Sequence, residues 1–197
     1  LHKSLPENSA ESKKASIIFN SALRINDLVD NLTVWAESKP MEHNPEKEYT
    51  WVAQLTENIL QLIHSQALNK NITIVKNIED GVQVYANKNM LEAIIRNLLT
   101  NALKFTQTGG RITFTAYRNG DNVWFEVKDT GLGMSKEETA YLLQDDVEFT
   151  KNGTFSEKGS GLGLKITREF IKIHASQLHI KSTKGKGTRF YFALPDK

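Results

Sequence analysis

The apolar residues of this chain change their period at Pro40, and that change divides what the chain can fold into. From about Ala10 to Lys39 there is neither glycine nor proline, and Ala15, Ile18, Ala22, Ile25, Val29, Leu32 and Ala36 step alternately by three and four residues. That spacing predicts one long helix with an a/d seam of about three heptads, widened by Leu28 and Trp35, which fits a helical bundle or coiled coil. Pro40 ends it, and Met41 to Lys47, with Pro45 and several polar residues, reads as a linker. The domain boundary is placed there, with residues 1–46 as helix and linker and 47–197 as a second unit.

Beyond the boundary the periods alternate. Val52, Leu55, Ile59, Leu62 and Ile63 recur at helical spacing, and the β-branched runs Ile72 to Ile78 and Val82 to Tyr85 read as strands. A second helix is predicted from Asn87 to Phe105. Arg111 to Arg118 and Val123 to Asp129 alternate apolar and polar about Asn119-Gly120-Asp121, which predicts a hairpin. Ser135 with Glu138 is a capping-box pair for a short helix. Gly161 to His174 reads as a further helix, and two last strands flank Lys184-Gly185-Lys186-Gly187. The sum is α+β in class: a two-layer α/β sandwich with helices on one face of a mainly antiparallel sheet.

Composition narrows the function classes. Lys and Arg (25) nearly balance Asp and Glu (23), so a formal charge of +2 gives no general attraction to nucleic acid or anionic membrane. No cysteine is present, which excludes disulfides and thiolate zinc sites. The apolar runs are too short to cross a bilayer.

Four segments carry the chemistry. On the helix to Phe105, Asn97, Asn101 and Lys104 share one stripe about 10 Å long, comparable with a triphosphate; amide oxygens can ligate Mg²⁺ and an ammonium can meet phosphate. A solvated polar face would show the same spacing. Asp129-Thr130-Gly131-Leu132-Gly133-Met134 follows a strand, where glycines permit a sharp turn and a close ligand, and an acid can accept from an exocyclic amine. An Asp-capped turn is the plainer reading. Gly159-Ser160-Gly161-Leu162-Gly163-Leu164 opens a helix whose free amides suit phosphate oxygens, although a hinge would look alike. Gly185-Lys186-Gly187-Thr188 is by itself a tight turn.

In this order and spacing the four segments closely resemble the N, G1, G2 and final boxes of the histidine-kinase ATPase domain, over essentially Tyr49 to Lys197. "NLLTNALKFT" (Asn97 to Thr106) and "GSGLGLKIT" (Gly159 to Thr167) are the most specific stretches. The resemblance implies the Bergerat fold with ATP and Mg²⁺ as ligands. Asp129, helped by Thr188, would recognise the adenine amino group. Asn101 would hold the metal, with Asn97 and Lys104 near the phosphates. Phe105, Gly131, Gly133 and Met134 would shape the pocket, and Lys158, Gly159, Ser160, Gly161, Leu162, Gly163 and Leu164 would meet the phosphates. Ser135 to Lys158 would form an ATP lid, with Phe149 in the family's F-box position.

The hydrolytic members of the superfamily place a water-activating glutamate one turn before the metal asparagine; here that position is Asn97, which favours transfer over hydrolysis. Glu92 falls on another side of the helix. "RINDLVDNLTVWAESKP" (Arg24 to Pro40) is similar to the second dimerisation-bundle helix of sensor kinases. The resemblance therefore implies a homodimer through that bundle, a response-regulator receiver domain as partner, and a cytoplasmic location. The parent would be an inner-membrane receptor, touching membrane only through segments outside this chain. No histidine is placed as the phosphoacceptor, so the chain is expected to be a fragment of a longer kinase, with a protein acting in trans as the alternative. A family His-Gly-Gly turn is here His174-Ala175-Ser176. A nucleotide-operated switch and a degenerate dimerisation module remain the alternatives.

Overall fold

The computed structural model describes residues 46–142, 154 and 162–196. The chain divides into two compact units, Leu1–Lys39 and Pro40–Lys197, and all described residues belong to the second. The long helix and its seam, Phe149, Lys158, Gly159, Ser160 and Gly161 lie outside the described residues.

The element order is β1 (Glu48–Trp51), α1 (Val52–Asn69), β2 (Thr73–Ile78), β3 (Gln83–Ala86), α2 (Lys88–Phe105), β4 (Arg111–Asn119), β5 (Asn122–Asp129), α3 (Lys136–Leu142), α4 (Leu162–Ile173), β6 (His179–Thr183) and β7 (Gly187–Pro195). Five strands form a mixed sheet in the order β2-β4-β5-β7-β6, with β2 parallel to β4 and every other pair antiparallel. The four-residue β1 pairs with β3 in a second, two-stranded sheet. The runs Ile72 to Ile78 and Val82 to Tyr85 thus separate into different sheets.

Side-chain alternation explains the layers. Along β4 and β5, Ile112, Phe114, Ala116, Val123, Phe125 and Val127 are buried while their neighbours are more exposed. Phe125 and Phe192 stack with ring centroids 4.9 Å apart, and each buried phenyl stabilises the fold by about 2–3 kcal/mol. Helix α2 starts where Asn87 caps it, its Oδ1 accepting from the Met90 N–H at 3.0 Å. It buries nine apolar residues, among them Leu91, Ile95, Leu98 and Ala102, and packs against α1 and α4. The predicted capping box forms reciprocally at α3: the Ser135 N–H donates to Glu138 and the Glu138 N–H to the Ser135 hydroxyl.

Candidate functional site

The site is built where the end of α2 meets the loop after β5. That loop reaches back to the helix, the Leu132 N–H donating to the Phe105 carbonyl at 3.0 Å. A β-carbon at Gly131 would collide with the same carbonyl. Forward, the Leu132 carbonyl accepts from the Gly185 N–H at 2.7 Å, and the Met134 N–H donates to Ser182 Oγ at 2.8 Å, so the β6–β7 turn closes the loop's other side. Gly133 takes φ +60° against the Thr183 carbonyl, a place no side chain fits. The glycines of this loop serve chain-to-chain packing as much as ligand approach.

Asp129 sits at the end of β5, 4% exposed. One carboxylate oxygen, Oδ1, accepts from the N–H groups of Gly131 (2.8 Å) and Thr188 (3.2 Å); Oδ2 takes neither. Burial raises the pKa to about 6, against the pull of those two amides. The carboxylate is therefore ionised at neutral pH, held by the backbone on one side with its second oxygen available to a donor. Thr188 contributes through its backbone; its hydroxyl lies 2.9 Å from Ser182 Oγ.

The phosphate-side candidates share α2 as the spacing predicts. Asn97 donates from Nδ2 to Thr167 of α4 at 2.7 Å, and its Oδ1 accepts from Asn101 Nδ2 at 3.4 Å. Gly163 lies so close to Asn97 that an added β-carbon would overlap its amide oxygen. The start of α4 is thereby seated on Asn97, with Leu164 in the following position. The Asn101 side-chain oxygen accepts no hydrogen bond from a described residue. Lys104 carries its ammonium over the Phe105 ring, 4.9 Å from the centroid.

Three contributors escaped the sequence reading. Thr167, 1% exposed, orients Asn97. Thr154 donates its N–H to the Lys104 carbonyl at 3.1 Å, with its hydroxyl on the Lys104 and Thr106 carbonyls. Lys70 donates to the Leu103 carbonyl and to Thr154, placing a cation where a helix end favours one. Thr167 lay inside a quoted motif but at no recognised position, and Lys70 and Thr154 act on the end of α2 across 33 and 50 residues of sequence. Among the described residues no group of His, Asp and Glu is assembled for a metal, and no helix is long and apolar enough to cross a membrane.

Comparison with known proteins bears on this arrangement. The family model "Histidine kinase-, DNA gyrase B-, and HSP90-like ATPase" matches residues 86–197. The adaptive-response sensory kinase SasA of Synechocystis sp. is 33% identical over 148 residues, 73% of this chain and 38% of the relative. Full-length ShkA, solved in complex with AMPPNP, superposes with a TM-score of 0.72 at 23% identity over 96% of this chain and 40% of that one. Histidine kinase ThkA, solved with response regulator protein TrrA, superposes with a TM-score of 0.72 at 20% identity over 99% and 54%. The chain spans about a quarter to a half of the length of the curated relatives it matches.

Proposed function

Because the chain belongs to the histidine kinase-, DNA gyrase B- and HSP90-like ATPase family, we propose that residues 47–197 bind Mg-ATP and pass its γ-phosphoryl group to a histidine on a dimerisation bundle. Residues 1–46 would belong to that bundle. The observation that carries this reading is the meeting of Asp129, Thr188 and the α2 stripe through one hydrogen-bonded loop.

The donor set fits the ligand. Asp129 would accept the adenine amino group on Oδ2, because Oδ1 is engaged by two amides. Asn101 would hold Mg²⁺ through its amide oxygen, and Asn97 and Lys104 would meet phosphate oxygens. Lys158, Gly159, Ser160, Gly161, Leu162, Gly163 and Leu164 would supply the remaining phosphate contacts at the helix start. Bound Mg²⁺ neutralises phosphate charge in such transfers. Asn97 carries no base able to take a proton from water, and its amide oxygen already accepts from Asn101, which leaves only an Nδ2 hydrogen for a phosphate. Attack by a presented histidine is thus favoured over hydrolysis. By likeness to ThkA, solved with response regulator protein TrrA, the partner would be a response-regulator receiver domain, and the a/d seam within residues 10–39 would form the dimer through the bundle.

The test is phosphoryl transfer from ATP labelled on the γ-phosphate, with the acceptor bundle supplied. Acid-labile, alkali-stable label on histidine, lost in Asn101→Asp, is expected. Tight nucleotide binding without any transfer would leave a nucleotide-operated switch instead.

A further inference from the structure

The outer face of the sheet carries an arrangement the nucleotide site does not use. Lys128 of β5 lies directly across from Arg189 of β7, and Arg189 directly across from Lys181 of β6. Three like charges thus stand in register on three neighbouring strands, an arrangement that destabilises a sheet. Side-chain alternation sets them on the face opposite Asp129 and Phe190. Lys136 from α3 and Lys186 from the β6–β7 turn join the same cavity, about 580 Å³ in volume, whose one acidic lining residue is Asp129. In a chain of net charge +2 this is a strong local concentration.

The protein offsets little of it. Glu126 pairs with one end of Arg189, and Lys181 and Arg189 lie over the Tyr191 ring at 5.7 and 4.9 Å. The four lysines form no ion pair among the described residues.

We propose that this cavity is a second anion site, taking a ligand with two or three linked phosphate groups. Lys128, Arg189 and Lys181 hold backbone positions that span two strand spacings, roughly 10 Å, and with Lys136 and Lys186 five cationic residues line one cavity, which suits a polyphosphate chain better than a single phosphate. Lys136 and Lys186 meet its free charges. Asp129 and Thr188 also contribute to the wall, so the cavity adjoins the strand ends that the nucleotide would use. The proposal does not depend on the nucleotide reading.

The test is calorimetric titration of the whole chain with inorganic tripolyphosphate, with inorganic phosphate as control. Vesicles carrying bisphosphorylated inositol headgroups form a parallel arm that separates a lipid source from a free one. Tripolyphosphate or the headgroup binds at least ~10-fold tighter than phosphate. The pair Lys128→Gln and Lys181→Gln weakens it ~10-fold or more, equivalent to removing strong charge contacts, whereas Lys76→Gln, which removes a surface cation paired with Glu57 outside both sites, does not. The same pair raises the thermal midpoint at low salt, which shows that lost binding is not lost folding. Binding that vanishes in Lys76→Gln, that ignores the lysine pair, or that is no tighter than phosphate overturns the proposal, as does no binding in either arm.

Discussion

Two buried titratable residues, one at each end of α2, show how differently the fold treats structure and site. His174 is 2% exposed. Its Nδ1–H donates to the Phe170 carbonyl at 2.7 Å, and its Nε2 accepts from the Asn87 N–H at 3.0 Å, tying α4 to the cap of α2. Both nitrogens are satisfied in the neutral form, and burial lowers the pKa. Asp129, beyond the other end, is only half satisfied and is charged at neutral pH despite its burial. One residue locks the fold; the other is kept in a form the fold alone disfavours, which is how a binding site differs from a core.

Removing the lock has the largest effect. His174→Ala leaves a cavity and strips the Asn87 N–H of its acceptor, so urea unfolding should show a loss of about 3 kcal/mol. Asp129→Asn should do the opposite, because an amide keeps the Oδ1 hydrogen bonds without a buried charge. A shift from 3.8 to about 6 corresponds to a gain of about 2–3 kcal/mol at pH 7. If both variants lost stability equally, the contrast would fail.

Acid titration sharpens it. The His174 contribution is present above its unfolded pKa, ~6.5, and is lost as pH falls below that value. The penalty of charged Asp129 is full above about 6 and is relieved as pH falls toward its unfolded value. The two slopes therefore oppose one another near pH 5–6. The advantage of Asp129→Asn should shrink from pH 7 to pH 5, by about 1 kcal/mol in the unfolding free energy read from urea curves; a constant advantage would place the charge elsewhere.

Gly163→Ala forces a methyl against the Asn97 amide. It should weaken nucleotide binding ~10-fold, about 1.4 kcal/mol, with His174 and its end of α2 untouched. The smallest effect belongs beside the lock: Ala175 follows His174 at φ +55°, so Ala175→Gly should raise the thermal midpoint, by about 0.5–1 kcal/mol in stability.

Local chemistry made much of this legible in the sequence. The α2 stripe, the β4–β5 hairpin and the Ser135–Glu138 box each depend on residues a few positions apart, and each stands where the spacing puts it. The strand β1 escaped because four residues, Glu48 to Trp51, acquire strand geometry only by pairing with β3, some 35 residues on. The parallel β2–β4 pairing and the strand order are likewise set by long-range contacts that leave no periodic trace. At the site, Asp129 and the asparagines were visible as residue types in motifs. The partners that orient them were not, because Thr167, Ser182 and the Thr188 N–H meet them only in the fold.

Asp129 carries the central claim, and calorimetric titration of a non-hydrolysable ATP analogue with Mg²⁺ into wild type and Asp129→Asn tests it most directly. The wild type should bind, and the substituted protein, although more stable, should lose at least ~100-fold in affinity, about 2.8 kcal/mol. Equal affinity in both proteins, or no binding by the wild type, would contradict the account.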